Sequence, residues 1–213
     1  MAKGYTTKAK VAQFLNTTIS MSDDDFAVLI AYAESIIEQI TGRIFAVVLT
    51  DEEELEDVAE VRLFSGNGRQ SLLIDDTCLV TKVEVGNDDY GGSFTEVDPV
   101  SENPDGYFLL PPNALSKGQP ITEIKLRSRH WTCGELNNRI TAVWAYSEEA
   151  PDDISFAATV LTGGIYNYNR GGGSGNIKSE RIGDYSVTYD NDGGWDDLER
   201  AKDIIKTRTK MII

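Results

Sequence analysis

The sequence predicts an α+β protein: a small α-helical bundle drawn from the N- and C-terminal segments, with an inserted antiparallel β module between them. Three observations carry this expectation. Apolar residues recur at helical spacing early in the chain and again after Pro151. Between them the period switches to two, in short runs separated by Gly, Pro, Asn and Asp clusters. The helices therefore come from both ends and the strands from the middle, so residues 1–43 and 148–213 are expected to form the helical part and 44–147 the β-rich module.

The first elements read as helices. Thr7 suits the cap of a short helix from Lys8 to about Asn16, with Val11, Phe14 and Leu15 on one side. Ser22 caps a longer one. Asp23, Asp24 and Asp25 fill its first turn, where the helix dipole favours negative charge. Phe26, Leu29, Ile30, Ala33, Ile36, Ile37 and Ile40 repeat at helical spacing and predict one buried stripe. Gly42 is suited to the left-handed residue that ends the helix.

After Gly42 come seven short strand patterns, at residues 58–64, 71–74, 79–85, 94–97, 107–110, 121–127 and 139–145. Gly66-Asn67-Gly68, Asn87-Asp88-Asp89, Gly91-Gly92, Asn103-Pro104-Asp105-Gly106 and Pro111-Pro112-Asn113 supply turn chemistry between them. Regular short strands of this kind predict a small antiparallel sandwich or barrel. Residues 51–57 read equally as a loop or as one helical turn.

Pro151 fits a first helical position, since its missing N–H costs nothing there, and Asp152 and Asp153 suit the positive end of a helix. Ile154, Ala157, Ala158, Leu161, Ile165 and Tyr168 form its expected inner stripe, and Gly163-Gly164 permits a close helix crossing. The run Gly171-Gly172-Gly173-Ser174-Gly175-Asn176 has nothing to bury and is expected to be mobile. Ile182, Tyr185, Val187 and Tyr189 then mark a strand segment, with Gly183-Asp184 as a turn or bulge. A last helix begins near Trp195, with Leu198, Ala201 and Ile205 on one face, while Arg200, Lys202, Lys206, Arg208 and Lys210 lie mostly elsewhere and crowd the helix end. The apolar ending Met211-Ile212-Ile213 is expected either to fold back on the core or to be covered by another subunit.

Composition narrows the function classes. A net charge of −15 argues against a general DNA binder, because neutralising phosphates needs basic patches. It suits a wall past which a duplex slides without sticking. Residues 1–21 carry three lysines and no acid, whereas residues 51–60 carry seven acids, an asymmetry that suggests distinct faces for distinct neighbours. No apolar run approaches membrane-spanning length, and the N-terminal residues lack the apolar core of a secretory leader, so synthesis in a host cytoplasm is expected. Cys78 and Cys133 are the only cysteines, and a reducing compartment favours free thiols over a disulfide.

Catalytic and cofactor patterns are missing. Gly66-Asn67-Gly68 lacks the remaining spacing and the Lys-Ser/Thr ending of a phosphate loop. His130 has no Ser or Cys nucleophile in an interpretable relation to it, and Arg129 and Trp131 beside it suit an edge strand. Two cysteines and one histidine give no zinc-ligand spacing. Asp190, Asp192, Gly193 and Glu199 fall at four positions of a calcium loop, but Thr188 stands where its first acid belongs and a strand precedes it, so a solvated turn is the better reading. The aromatic residues Tyr166, Tyr168, Tyr185, Tyr189 and Trp195 have mostly acidic or glycine neighbours, which favours packing over base stacking. No enzyme activity, cofactor or metal is expected.

Four features in this order — the helix over residues 22–41 ending in Thr41-Gly42-Arg43, the helix opened by Pro151-Asp152-Asp153-Ile154, the strand segment 182–189 after a glycine-rich loop, and the basic-ended last helix — resemble the head–tail connector (adaptor) family of tailed bacteriophages. The resemblance covers about half the chain, and residues 45–147 match no motif of it. It implies a structural virion protein of the neck. Such a protein forms a homo-oligomeric ring of twelvefold symmetry beneath the portal protein, extends the DNA channel and docks a stopper or tail component, with DNA only as passing cargo and no membrane partner. It further implies that Ser179, Arg181, Ile182, Gly183, Asp184, Tyr185, Val187 and Tyr189, together with Arg208, Lys210, Met211, Ile212 and Ile213, make portal or intersubunit contacts. The alternatives are another completion protein of the head or tail, such as a stopper, or a calcium- or glycan-binding β module using Trp131 or Trp144.

Overall fold

A computed structural model describes residues 2–50, 52–89, 91–170, 178–182, 185–189 and 195–210. The fold is α+β. The chain divides into two compact units, Met1–Val48 with Glu149–Ile213, and Leu49–Glu148.

The first unit is helical. Helix α1 (Lys8–Phe14) is capped by the Thr7 hydroxyl, which accepts from Lys10 N. Helix α2 (Asp23–Thr41) opens on Ser22, whose hydroxyl accepts from Asp25 N, and closes on Gly42 in the left-handed conformation at φ 66°. Helix α3 (Asp152–Arg170) begins one residue after Pro151, whose carbonyl accepts from Ser155 N at 2.8 Å. Two strands follow, β8 (Lys178–Ile182) and β9 (Tyr185–Tyr189), and then helix α4 (Trp195–Thr207).

Helix α3 is the centre of this unit, buried nearly all round from Ala157 to Tyr166. Helices α1, α2 and α4 pack against it. Val11, Phe26, Ile30 and Tyr166 form one apolar cluster, with the rings of Phe26 and Tyr166 edge to face at 5.7 Å. Each large side chain fully removed from water there stabilises the unit by about 2 kcal/mol. At Gly163 the backbone admits a neighbour that a side chain would meet: a Cβ there would stand 3.2 Å from Cδ2 of Leu15. The expected close crossing therefore involves α1 and the residue that follows it.

The second unit is a two-sheet sandwich. One sheet orders its strands β1-β7-β3-β4, namely β1 (Glu60–Gly66), β7 (Gly134–Val143), β3 (Leu79–Gly86) and β4 (Phe94–Glu96). The other orders β2-β6-β5, namely β2 (Ser71–Thr77), β6 (Ile121–Leu126) and β5 (Tyr107–Leu110). Every pairing between these strands is antiparallel. Leu72, Ile74, Val83, Val85, Ile124, Leu126, Ile140 and Ala142 come from both sheets into one core. Burial in it and nearby carboxylates push the Tyr107 hydroxyl up to about 12.

Several expectations are corrected here. Strand β7 starts at Gly134, five residues earlier than its pattern suggests, because Asn137 and Asn138 are fully buried rather than in a turn. Asn137 Oδ1 accepts from Gly66 N at 3.0 Å and its Nδ2 donates to Thr132 O at 3.0 Å, so the polar side chains satisfy backbone groups inside the sheet. Arg129 and Trp131 lie in the β6–β7 connection, not on an edge strand. Residues 55–58 form a 3-10 turn whose ends are tied by the Glu54 and Asp57 side chains. Tyr168 is exposed rather than part of the inner stripe of α3.

Candidate docking surfaces

Of the residues expected to make contacts, Ser179, Arg181, Ile182, Tyr185, Val187 and Tyr189 lie on β8 and β9, and Arg208 and Lys210 just past α4. Strands β8 and β9 pair antiparallel, setting Ile182 opposite Tyr185, Glu180 opposite Val187, and Lys178 opposite Tyr189. Ser179 and Arg181 face Thr188 and Ser186 across the same ladder. The sequence predicts one strand over residues 182–189; two strands stand there instead, and β8 over Lys178–Ile182 is not anticipated by it. Gly183, Asp184, Met211, Ile212 and Ile213 lie outside the described residues, as do the 171–176 loop and the Asp190, Asp192 and Gly193 positions.

Helix α4 buries Leu198, Ala201 and Ile205 and leaves Glu199, Arg200 and Lys206 exposed. Arg208, just past its end, donates from Nε and Nη2 to Asp153 Oδ2 at 2.9 and 2.8 Å. Lys210 N donates to the carbonyl of Thr41 at 2.8 Å, so the chain is drawn back onto the last residue of α2. The backbone leading to residue 211 is thereby placed beside the C-terminal end of α2.

The opposite end of the chain is held by carboxylates. Glu34, 2% exposed, accepts from Lys3 N at 2.5 Å and Tyr5 N at 2.9 Å. One turn on, Glu38 accepts from Lys3 Nζ and from the Tyr5 hydroxyl, which itself accepts from Phe45 N at 2.7 Å. Burial raises the Glu34 carboxyl, against the two backbone N–H donors that favour its charged form. Burial, together with the bond to Glu38, also raises the Tyr5 hydroxyl. These groups fasten residues 3–5 along α2. Sequence reasoning did not find them, because an acid inside a helical pattern reads as solvated surface.

Helix α2 is apolar on more than its core side. Phe26, Ile30, Ala33 and Ile37 are buried, whereas Leu29, Ile36 and Ile40, expected in the same stripe, are half-buried. Val28 and Tyr32, one turn apart, are 67% and 45% exposed.

Trp131 is 1% exposed, and Trp144 is buried with its Nε1 donating to Glu60 O at 2.8 Å, so neither ring is available to stack a sugar. His130 is exposed. Cys78 is buried and Cys133 exposed, and both are free thiols. Burial pushes the Cys78 thiol up to about 11. Among the described residues, no group of three or more His, Cys, Asp or Glu could hold a metal ion, and no helix is long and apolar enough to cross a membrane.

A helical unit assembled from both chain ends and interrupted by a β sandwich is the class these features define. The chain is similar in path to solved chains of gene transfer agent (GTA) particles. One, from the neck of an empty GTA particle computed with C6 symmetry, matches at 16% identity and a TM-score of 0.49, covering 96% of this chain and 89% of that one. A second, from the neck of a native GTA particle computed with C12 symmetry, matches at 14% and 0.48, covering 96% and 88%. A third, from the virion of a native gene transfer agent particle, matches at 17% and 0.49, covering 95% and 90%. No protein-family model matches the chain, and no curated relative does.

Proposed function

We propose that this protein is a non-enzymatic head–tail adaptor of a phage-like particle, which packs side by side with copies of itself into a ring beneath the portal. The observation that carries the reading is the order of elements in the helical unit: a capped α2, a central α3, the β8–β9 hairpin and a basic-ended α4 returned to α2 through Lys210. That is the order by which the sequence resembles the adaptor family. The exposed apolar face of α2 at Val28 and Tyr32 adds support, since a ring subunit needs a second face to bury.

On this reading the work of the protein is geometric. Heterologous contacts repeat around an axis and close, the portal meets one face, and a stopper or tail component meets the other. The hairpin residues and the tail after Arg208 are the proposed portal or intersubunit contacts. The acidic composition keeps the lumen from holding the passing duplex. Residues 49–148 form a module inserted into the adaptor core.

Imaging the purified protein mixed with portal complexes tests this. A ring of density matched to the portal is expected. Portal complexes that stay bare at saturating protein, or catalytic turnover by the purified chain, would overturn it.

A further inference from the structure

The β unit carries charge of opposite sign at the two ends of one strand. Strand β1 starts at Glu60, and immediately before it Glu52, Glu53, Glu54, Glu56 and Asp57 are exposed. The strand ends at Gly66, and just beyond lies a cationic cluster built from two segments. Trp131 N donates to Arg69 O at 2.8 Å, Leu126 N donates to Gln70 O at 2.9 Å, and Gln70 Nε2 donates to Arg127 O at 3.1 Å. These bonds hold the β1–β2 turn against the β6–β7 connection. Buried Trp131 anchors that connection from beneath. Arg69, Lys125, Arg127 and Arg129 are thus gathered at one end, all exposed, with the Arg127 guanidinium 6.0 Å from the ring of Phe108.

This cluster is set apart by the gathering of four unpaired cations. Elsewhere in the unit Arg62 pairs with Asp75, Lys82 with Glu84 and Glu96, and Arg139 with Glu84, and the solitary Lys117 donates to the Pro112 carbonyl at 3.3 Å. Among the described residues, Arg69, Lys125, Arg127 and Arg129 have no carboxylate partner, although Glu123 and Asp105 border them. In so acidic a chain, unpaired cations fixed on a rigid turn make a surface shaped for an acidic partner.

We infer that the Arg69, Lys125, Arg127 and Arg129 surface docks the acidic segment 52–60 of a second copy of this chain. Charge complementarity selects that occupant, because the exposed acids of one copy match the unpaired cations of the next. The seven residues of β1 separate the two poles by about 20 Å, so a copy cannot satisfy its own. Two different patches meeting head to tail form a heterologous contact, the kind that closes into rings. At physiological ionic strength the Debye length is about 8 Å, which screens the net repulsion between whole chains yet leaves close pairs effective. The inference deepens the ring reading and rests on it for the partner being another copy.

The test uses two full-length variants. Arg69→Glu, Arg127→Glu and Arg129→Glu together make both poles acidic, and Glu52→Lys, Glu53→Lys, Glu56→Lys and Glu60→Lys together make the acidic pole basic. Sedimentation at physiological ionic strength should show the association midpoint of each variant alone raised at least about tenfold over wild type. An equimolar mixture of the two should recover association, and high salt should abolish it. Carbodiimide coupling of isotope-labelled with unlabelled wild type should join Lys125 to residues 52–57 between copies.

A mixture no more associated than either variant alone overturns the inference. So does an Arg69→Glu, Arg127→Glu, Arg129→Glu variant that loses binding to labelled duplex DNA while associating like wild type. Portal docking is scored separately. Variants that dock as rings as well as wild type sink this contact and leave the adaptor reading standing. Pole-dependent association by a protein that never docks a portal does the reverse.

Discussion

Arg208 and Asp153 are fastened by two nitrogens on one oxygen, at 2.9 and 2.8 Å, which ties the residue after α4 to the first turn of α3. Both side chains are about a third exposed, so solvent screens the pair and its strength is near about 1 kcal/mol. Arg208→Ala should lower the unfolding free energy by about that amount, with Arg208→Lys recovering part of it because a lysine lacks the guanidinium fork. Urea denaturation of Arg208→Ala, Asp153→Ala and the double variant gives the coupling, which high salt should shrink.

Glu34 should leave a mark on stability against pH. Its carboxyl is raised from 4.5 by burial, so between 4.5 and its folded value the native state holds more protons than the unfolded chain. Its contribution is therefore full below about 4.5 and falls as pH climbs through the folded value. Unfolding free energy of wild type minus that of Glu34→Gln should decline with rising pH across that window, and a flat difference would contradict the assignment. Glu34→Ala, which strands the amides of Lys3 and Tyr5, should cost about 3 kcal/mol.

Gly66 admits no side chain. A Cβ there would lie 1.6 Å from the carbonyl oxygen of Thr132 and 2.7 Å from Asn138 Nδ2. Backbone would have to move at the β1–β7 register shift, so Gly66→Ala should cost more than about 3 kcal/mol. A thermal melt close to wild type would refute this.

The two thiols should separate cleanly. Exposed Cys133 should be alkylated by iodoacetamide at mildly alkaline pH, whereas buried Cys78, pushed up to about 11, should react only on unfolding. Mass spectrometry of the labelled peptides reads both rates, and equal rates in the native state would contradict the burial.

What the sequence made legible was local. Ser22 and Gly42 bound α2 as their chemistry requires, and the switch from helical to alternating period separated the helices from the sandwich. What escaped depended on distant partners. The alternating pattern begins only at Arg139, yet Asn137 and Asn138 sit in β7, where their oxygens accept from the backbone amides of Gly66 and Gly86. Leu29, Ile36 and Ile40 fit the period of the core stripe, but a period sets an angle on the helix and not the depth of what packs there. The cationic cluster was invisible for the same reason, since Arg69 and Arg129 are sixty residues apart and meet only when the two loops pair.

The bond from Lys210 N to the Thr41 carbonyl joins main chain to main chain. It therefore tolerates any replacement at position 210 that keeps an amide hydrogen, and proline is the one coded residue that abolishes it. Drift at this position therefore leaves residue 210 tied to the last residue of α2.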